Sequence, residues 1–339
     1  MSTTISRARP SATFFHALPP YLGGKRRLCP LIFSALGEAL PRERWRDSTL
    51  LDPFAGGGAV SLYAKAQGFR VVASDISERS CIVTRALVAN SSCRLTQPQV
   101  LGLFRESEGD CPRRAAELVP AVFTTEQARW LDSAFAQAHG YPEPTRSMLQ
   151  LLVLRTALSL QPMSTLNATD SRAFGEGDYD RISPRRLGHY GRAWRRLTVA
   201  AVWKLAQRIN AGVFGGRGEA RRGGALEAIA ESTADVLYLD PPYPGTTGYD
   251  HEYAALDQLL GDEPPERPPP RLDELLDVSE RIPWLVLSYG GPTVTLAELE
   301  QQVGQHRPVR RAIEIPYLHL ASLNTKERSG EFLIVAGHN

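Results

Sequence analysis

Two short stretches, "TLLDPFAGGGAV" and the "FRVVASDIS" that follows it, constrain this chain more than any other feature. Leu50 to Asp52 reads as an apolar strand, Gly56 to Gly58 as a tight loop and Val60 to Gln67 as a helix; the second stretch reads as a strand ending on Asp75. Strand, glycine turn, helix, strand, acid is the order of a nucleotide-binding βαβ unit. Glycines let the backbone approach a ligand where a Cβ would clash, and an acid at the next strand tip can accept both hydroxyls of a ribose. The sequence has no GK[ST] after the loop, which excludes a P-loop, and its spacing is not GxGxxG. A ligand with a ribose but no demand for a phosphate cradle remains, and S-adenosylmethionine is such a ligand.

Later segments extend the sheet. Val236 to Leu239 reads as a buried strand that ends on Asp240-Pro241-Pro242-Tyr243. "WLVLSY" (Trp284 to Tyr289), "AIEIPYL" (Ala312 to Leu318) and "EFLIVA" (Glu331 to Ala336) read as further strands, and "AGVFGG" near Ala211 as the third. A mostly parallel sheet flanked by helices, closed by an antiparallel hairpin, is expected. The apolar run Leu149 to Leu160, broken by Arg155, reads as a buried helix and is too short to span a bilayer.

Charge is uneven. The net value is +2, yet Arg181 to Arg222 holds eleven Arg or Lys against the single acid Glu219. A one-sided run of this size favours a polyanionic partner. Within it Leu187, Tyr190, Trp194, Leu197, Ala201, Leu205 and Ile209 recur at helical spacing as one buried stripe, which leaves the arginines for the other faces. Cys29, Cys81, Cys93 and Cys111 form no CxxC pair, so neither a metal site nor a disulfide framework is indicated, and a reducing cytoplasm fits. Residues 1–19 read as a flexible arm; their acid-free, Ser- and Arg-rich start weakly resembles a transit peptide.

Taken in order, "PYLGGKRRL", "LDPFAGGG", "SDIS" and "DPPY" resemble the Dam-type N6-adenine-specific DNA methyltransferases, in the permutation that inserts the target-recognition segment before DPPY. The resemblance runs from about Tyr21 to Ala336. It implies an α/β, Rossmann-like methyltransferase domain formed by residues 20–91 and 193–339, with residues 92–192 as an inserted, mainly helical DNA-reading segment. It further implies S-adenosylmethionine as cofactor, contacted by Tyr21, Gly24, Lys25, Asp52, Phe54, Gly56, Gly58, Asp75, Ile76 and Asp240. Asp240, Pro241, Pro242 and Tyr243 would form the catalytic motif. Arg185, Arg192 and Arg195 are the candidate phosphate contacts to double-stranded DNA. One departure stands out: "GGALEA" (Gly223 to Ala228) occupies the place where an acid for the cofactor's adenine is expected.

The motif has a chemical logic. The exocyclic amine of adenine is a poor nucleophile because its lone pair is delocalised into the ring, and acceptors for its protons favour the localised form. Asp240 can take one proton in a hydrogen bond and the Pro241 carbonyl the other, with the prolines fixing that carbonyl's direction. Tyr243 offers a face on which an extruded base can stack. Direct displacement at the sulfonium methyl needs no cysteine nucleophile. Two alternatives stay open: a cytosine-N4 methyltransferase, which more often begins the motif with Ser, and a weakly active DNA-binding subunit of a restriction or phage-defence assembly. The setting expected is cytoplasmic and nucleoid-associated, without a membrane.

Overall fold

The computed structural model describes residues 13–21, 23–105, 112–119, 122–123, 125–160, 197–243, 249–263, 268–291, 294–315 and 331–338. Its centre is a seven-stranded sheet formed by β1 (Thr49–Asp52), β2 (Arg70–Asp75), β3 (Arg217–Arg222), β4 (Val236–Leu239), β5 (Trp284–Gly290), β6 (Val309–Ile315) and β7 (Glu331–Gly337), in the order β3-β2-β1-β4-β5-β7-β6. The first five strands are parallel, with Leu51 level with Val72 on one side and Leu237 on the other. β7 runs antiparallel to both β5 and β6, the final hairpin expected from the sequence. The strand order reverses between β1 and β4, and crevices of this kind at the carboxyl ends of parallel strands receive ligands.

β4, β5 and β7 are buried along their whole length, which explains their unbroken apolar runs. A strand covered on both faces has no solvent side to keep polar. Alternate residues feed two cores. Leu50, Val71, Val236, Tyr238, Val286 and Leu333 point into the larger one, and Leu51, Leu237, Leu285, Leu287 and Ile334 into the smaller.

The helices that fill the larger core include α1 (Cys29–Ala39), α2 (Ala59–Gln67), α3 (Glu78–Thr84), α4 (Gln97–Gly102), α5 (Thr125–His139), α6 (Thr145–Ser159) and α7 (Val199–Asn210). α8 (Ala225–Ala230), α10 (Leu272–Val278) and α11 (Leu296–Gly304) cover the other face, and α9 (Tyr249–Leu260) follows the DPPY segment into the larger core. α6 is buried almost all round, as the 149–160 run implies, and Arg155 Nη1 donates to the carbonyls of His16 and Ala17, each at 2.8 Å. The described helices of segment 92–192 therefore pack into the same apolar core as the sheet.

Four expectations need correction. The third strand is Arg217–Arg222, one step beyond "AGVFGG"; it is a sheet edge bonded only to β2, so its residues are largely polar, whereas Val213 anchors the preceding loop in the core. Residues 13–19 are not a free arm: Phe15, Ala17 and Leu18 are buried, and only residues 1–12 of that segment lie outside the described residues. Of the basic stripe, Leu187, Tyr190 and Trp194 lie outside the described residues; α7 begins after Thr198, whose Oγ1 accepts the Ala201 amide at 3.2 Å as an N-cap, and its buried face is Val202, Ala206 and Ile209, with Ala201 exposed. The strand expected at 312–318 begins three residues earlier, and residues 316–318 lie outside the described residues.

Candidate functional site

Three strand ends converge. Asp52 closes β1 and leads into the glycine loop, Asp75 closes β2, and Asp240 follows β4. Gly56 and Gly58 have φ of +48° and +73°, a region costly for residues with a Cβ. A Cβ on Gly56 would also lie 2.9 Å from the ring of Tyr21, which rests on the loop. Tyr21 in turn stacks on Tyr253 of α9, with ring centroids 5.2 Å apart at 22°. Arg79 lies over the other ring of this pair, 4.6 Å from the Tyr253 centroid, and is paired with Asp257.

Asp75 ties the first two loops together. Its Oδ2 accepts the Gly56 amide at 2.8 Å, and its Oδ1 accepts the Ser77 amide at 2.9 Å and the Ser77 hydroxyl at 2.8 Å. A carboxylate offers about four acceptor positions, so one is left for a ligand hydroxyl. Beside it Ile76 is 48% exposed, an open apolar side chain at a strand tip that a flat ligand ring would cover. Gly223 donates its amide to the Asp75 carbonyl at 3.1 Å, which brings the acid-free "GGALEA" segment up to the same edge.

Asp52 is fully buried. Its Oδ2 accepts the Ser61 hydroxyl at 2.6 Å, while Oδ1 makes no hydrogen bond of ordinary geometry, the Phe54 amide lying near enough only to favour the charge slightly. Burial pushes this carboxyl up to about 7; the Ser61 bond opposes the rise, and the charges of Asp240 and Asp75 add to it. An incompletely satisfied buried acid beside two more acids fits a cationic ligand group. S-adenosylmethionine carries two, a sulfonium and an ammonium, together with the ribose that Asp75 can accept.

The DPPY segment is held from two distant parts of the chain. Lys25 Nζ lies 2.9 Å from Asp240 Oδ1 and 3.2 Å from Glu331 Oε1, and donates to the Gly23 carbonyl at 3.2 Å and the Tyr243 hydroxyl at 3.1 Å. The Tyr243 hydroxyl in turn faces Asp240 Oδ1 at 3.1 Å and Glu331 Oε1 at 3.0 Å. Its ring packs against Tyr289, centroids 5.3 Å apart. Burial first, then the charges of Asp240 and Glu331, hold the Tyr243 phenol well above its usual range, so it is a neutral donor. Burial also raises the Glu331 carboxyl, and the Lys25 ammonium counteracts that rise. Pro241 is buried and Pro242 exposed.

Gly24 and Phe54 flank these groups. Gly24 precedes the turn that carries Lys25, and Phe54 is half-buried against the smaller core, as is Tyr243. The sequence-derived residues Tyr21, Lys25, Asp52, Gly56, Asp75 and Asp240 thus meet at one end of the sheet. Arg185, Arg192 and Arg195 lie outside the described residues. Sequence reasoning missed Glu331, Tyr253 and Arg79. The available signal for Glu331 was a carboxylate opening a strand otherwise wholly apolar.

The chain is similar to several known proteins. Residues 21–108, which span Tyr21, Lys25, the glycine loop and Asp75, match the model of the D12 class N6 adenine-specific DNA methyltransferases. The Type II methyltransferase M2.HphI of Haemophilus parahaemolyticus is 26% identical over 254 residues, covering 72% of this chain and 71% of that protein. Among solved structures, the rRNA methyltransferase aviRa from Streptomyces viridochromogenes aligns with 97% of this chain and 93% of its own at 13% identity and a TM-score of 0.37. The class defined is a methyltransferase that uses S-adenosylmethionine. Over residues 21–108 the chain is similar to the N6-adenine-specific DNA methyltransferases.

Proposed function

We propose that the protein methylates the N6 amine of an adenine extruded from duplex DNA at a specific site, in a restriction-modification or phage-defence setting in the cytoplasm, close to the nucleoid. The observation that carries this reading is the state of Asp240. Among the described residues both of its partners, Lys25 and Tyr243, contact Oδ1, which leaves Oδ2 as an acceptor at the end of β4.

The residues then divide the work. Asp75 and Ile76 hold the nucleoside part of the cofactor, and Asp52, with the loop from Phe54 to Gly58, holds the part that bears its positive charges. When bound, S-adenosylmethionine supplies an electrophilic methyl group. Asp240 Oδ2 and the Pro241 carbonyl accept the two amine protons of the target base and so localise the nitrogen lone pair. Tyr243 keeps its hydroxyl anchored while its ring takes up the base. Proton acceptors aimed at the amine before the reaction need no reorganisation during it, and positioning of this kind supplies most of the barrier reduction.

Target reading belongs to segment 92–192. Its described helices are committed to the core, so residues 161–192, which contain Arg185 and Arg192, are the part assigned to DNA. No helix among the described residues is long and apolar enough to cross a membrane. Transfer of labelled methyl from S-adenosylmethionine tests the proposal: mixed-sequence duplex should accept label, and poly(dG-dC), which has no adenine, should accept none. Equal labelling of both would favour the cytosine-N4 reading, which shares this geometry.

A further inference from the structure

Glu331 belongs to none of the motifs that point to the function. Sheet pairing brings it in: β7 lies between β5 and β6, and Glu331 sits level with Gly290 on one side and Ile315 on the other. It is 2% exposed. A carboxylate is seldom buried so deeply without paired donors, because desolvation of the charge is costly. Here the donors are Lys25, with Nζ at 3.2 Å, and the Tyr243 hydroxyl at 3.0 Å. These are the same two groups that reach Asp240 Oδ1, at 2.9 and 3.1 Å.

Two carboxylates therefore share two donors. A phenol has one proton and donates to one acceptor at a time, whereas an ammonium has three. Without Glu331, Asp240 would be the one carboxylate of this pair left to draw on Lys25 and the Tyr243 hydroxyl, and the pull from the β7 side would be lost. We infer that Glu331 is a positioning residue for methyl transfer: it anchors Lys25 and the Tyr243 hydroxyl from the β7 side, so that Asp240 keeps one oxygen for the target amine and the Tyr243 ring holds one orientation. The inference rests on the functional reading above and adds to it a residue that touches neither cofactor nor base.

A thermodynamic cycle separates positioning from simple structural support. Glu331→Gln removes the charge at constant size, Tyr243→Phe removes the hydroxyl but keeps the ring, and the double variant removes both. With cofactor and DNA saturating, Glu331→Gln should lower kcat about tenfold or more, the loss expected for about 1.4 kcal/mol at the transition state. KM for DNA should stay within about twofold, the signature of an interaction that matters in the transition state. S-adenosylmethionine affinity by calorimetry should be unchanged. The double variant should be no slower than the worse single variant, because both substitutions break the same contact. Multiplying losses, or a raised KM with wild-type kcat, would overturn the assignment. Should Glu331→Gln fail to fold, Glu331→Asp keeps the charge and shortens the reach by one methylene; it too should lower kcat at constant KM, and wild-type kcat in it would overturn the proposal. If the wild-type protein leaves no N6-methyladenine in DNA, the functional reading fails first and takes this inference with it.

Discussion

Lys25 Nζ sits 2.9 Å from Asp240 Oδ1, which joins the turn before α1 to the end of β4 across most of the chain. Lys25 is 6% exposed, and Glu331 is its second carboxylate partner. Removing the ammonium leaves the buried Glu331 and the partly buried Asp240 without their shared cation. Loss of one partner from a buried pair typically costs about 3–5 kcal/mol, an upper figure here because Asp240 keeps some contact with solvent. Lys25→Met should therefore lower the unfolding midpoint in urea at pH 7.5. The deficit should shrink as the medium is acidified, since protonating either acid relieves the repulsion. A deficit independent of pH would mean that Lys25 contributes through packing alone.

On the proposed reading Asp75 combines two duties, and its substitution should show both. Asp75→Ala removes the acceptor of the Gly56 amide and the acceptor offered to a ribose hydroxyl. A lost charge-assisted hydrogen bond typically costs about 1.5–3 kcal/mol, so S-adenosylmethionine affinity should fall about tenfold or more. Unchanged affinity by calorimetry would remove Asp75 from the cofactor site.

Asp52 predicts a pH dependence of definite sign. Its carboxyl titrates at about 7 in the fold and near 4 in an unfolded chain, so the folded state binds the extra proton between those values. Stability should then fall as pH rises from about 4 to about 7 and level off above, because both states are ionised there. Asp52→Asn should be more stable than wild type at pH 8 and gain less at pH 5. Binding of a cationic cofactor beside Asp52 should also release protons near neutrality, seen as a binding enthalpy that varies with the ionisation enthalpy of the buffer. An enthalpy independent of buffer would contradict the placement of positive charge there.

Local signals made much of this site legible. Gly56 and Gly58 announce a loop that needs left-handed backbone, Asp75 and Asp240 end apolar strands, and each of these requirements is met within a few residues. Tyr253 gave no such sign, and the sign at Glu331, a carboxylate opening an apolar strand, does not say which site it joins. Glu331 reaches the site only because β7 inserts antiparallel beside β5, and Tyr253 only because α9 folds back on Tyr21. The edge strand Arg217–Arg222 was misplaced for a related reason: with one neighbour and largely exposed side chains it carries no apolar run, while the buried Val213 before it imitates one.

Arg185, Arg192 and Arg195 give a prediction about DNA. If each contacts a phosphate, replacing it with alanine should weaken binding to all sequences alike and reduce the slope of log K against log salt by roughly one per contact. An unchanged slope would return the run to a solvated surface.

Asp240 carries the central claim, and the modified base itself is the most direct readout of it. Duplex DNA incubated with the protein and S-adenosylmethionine, then digested and resolved as nucleosides by mass spectrometry, should contain N6-methyldeoxyadenosine. With Asp240→Ala the yield per unit time should drop about 10²–10³-fold, as for loss of a preorganised group at a reacting centre, while cofactor and DNA still bind. N4-methyldeoxycytidine in place of the adenine product, or no methylated nucleoside under conditions where both ligands bind, would contradict the account.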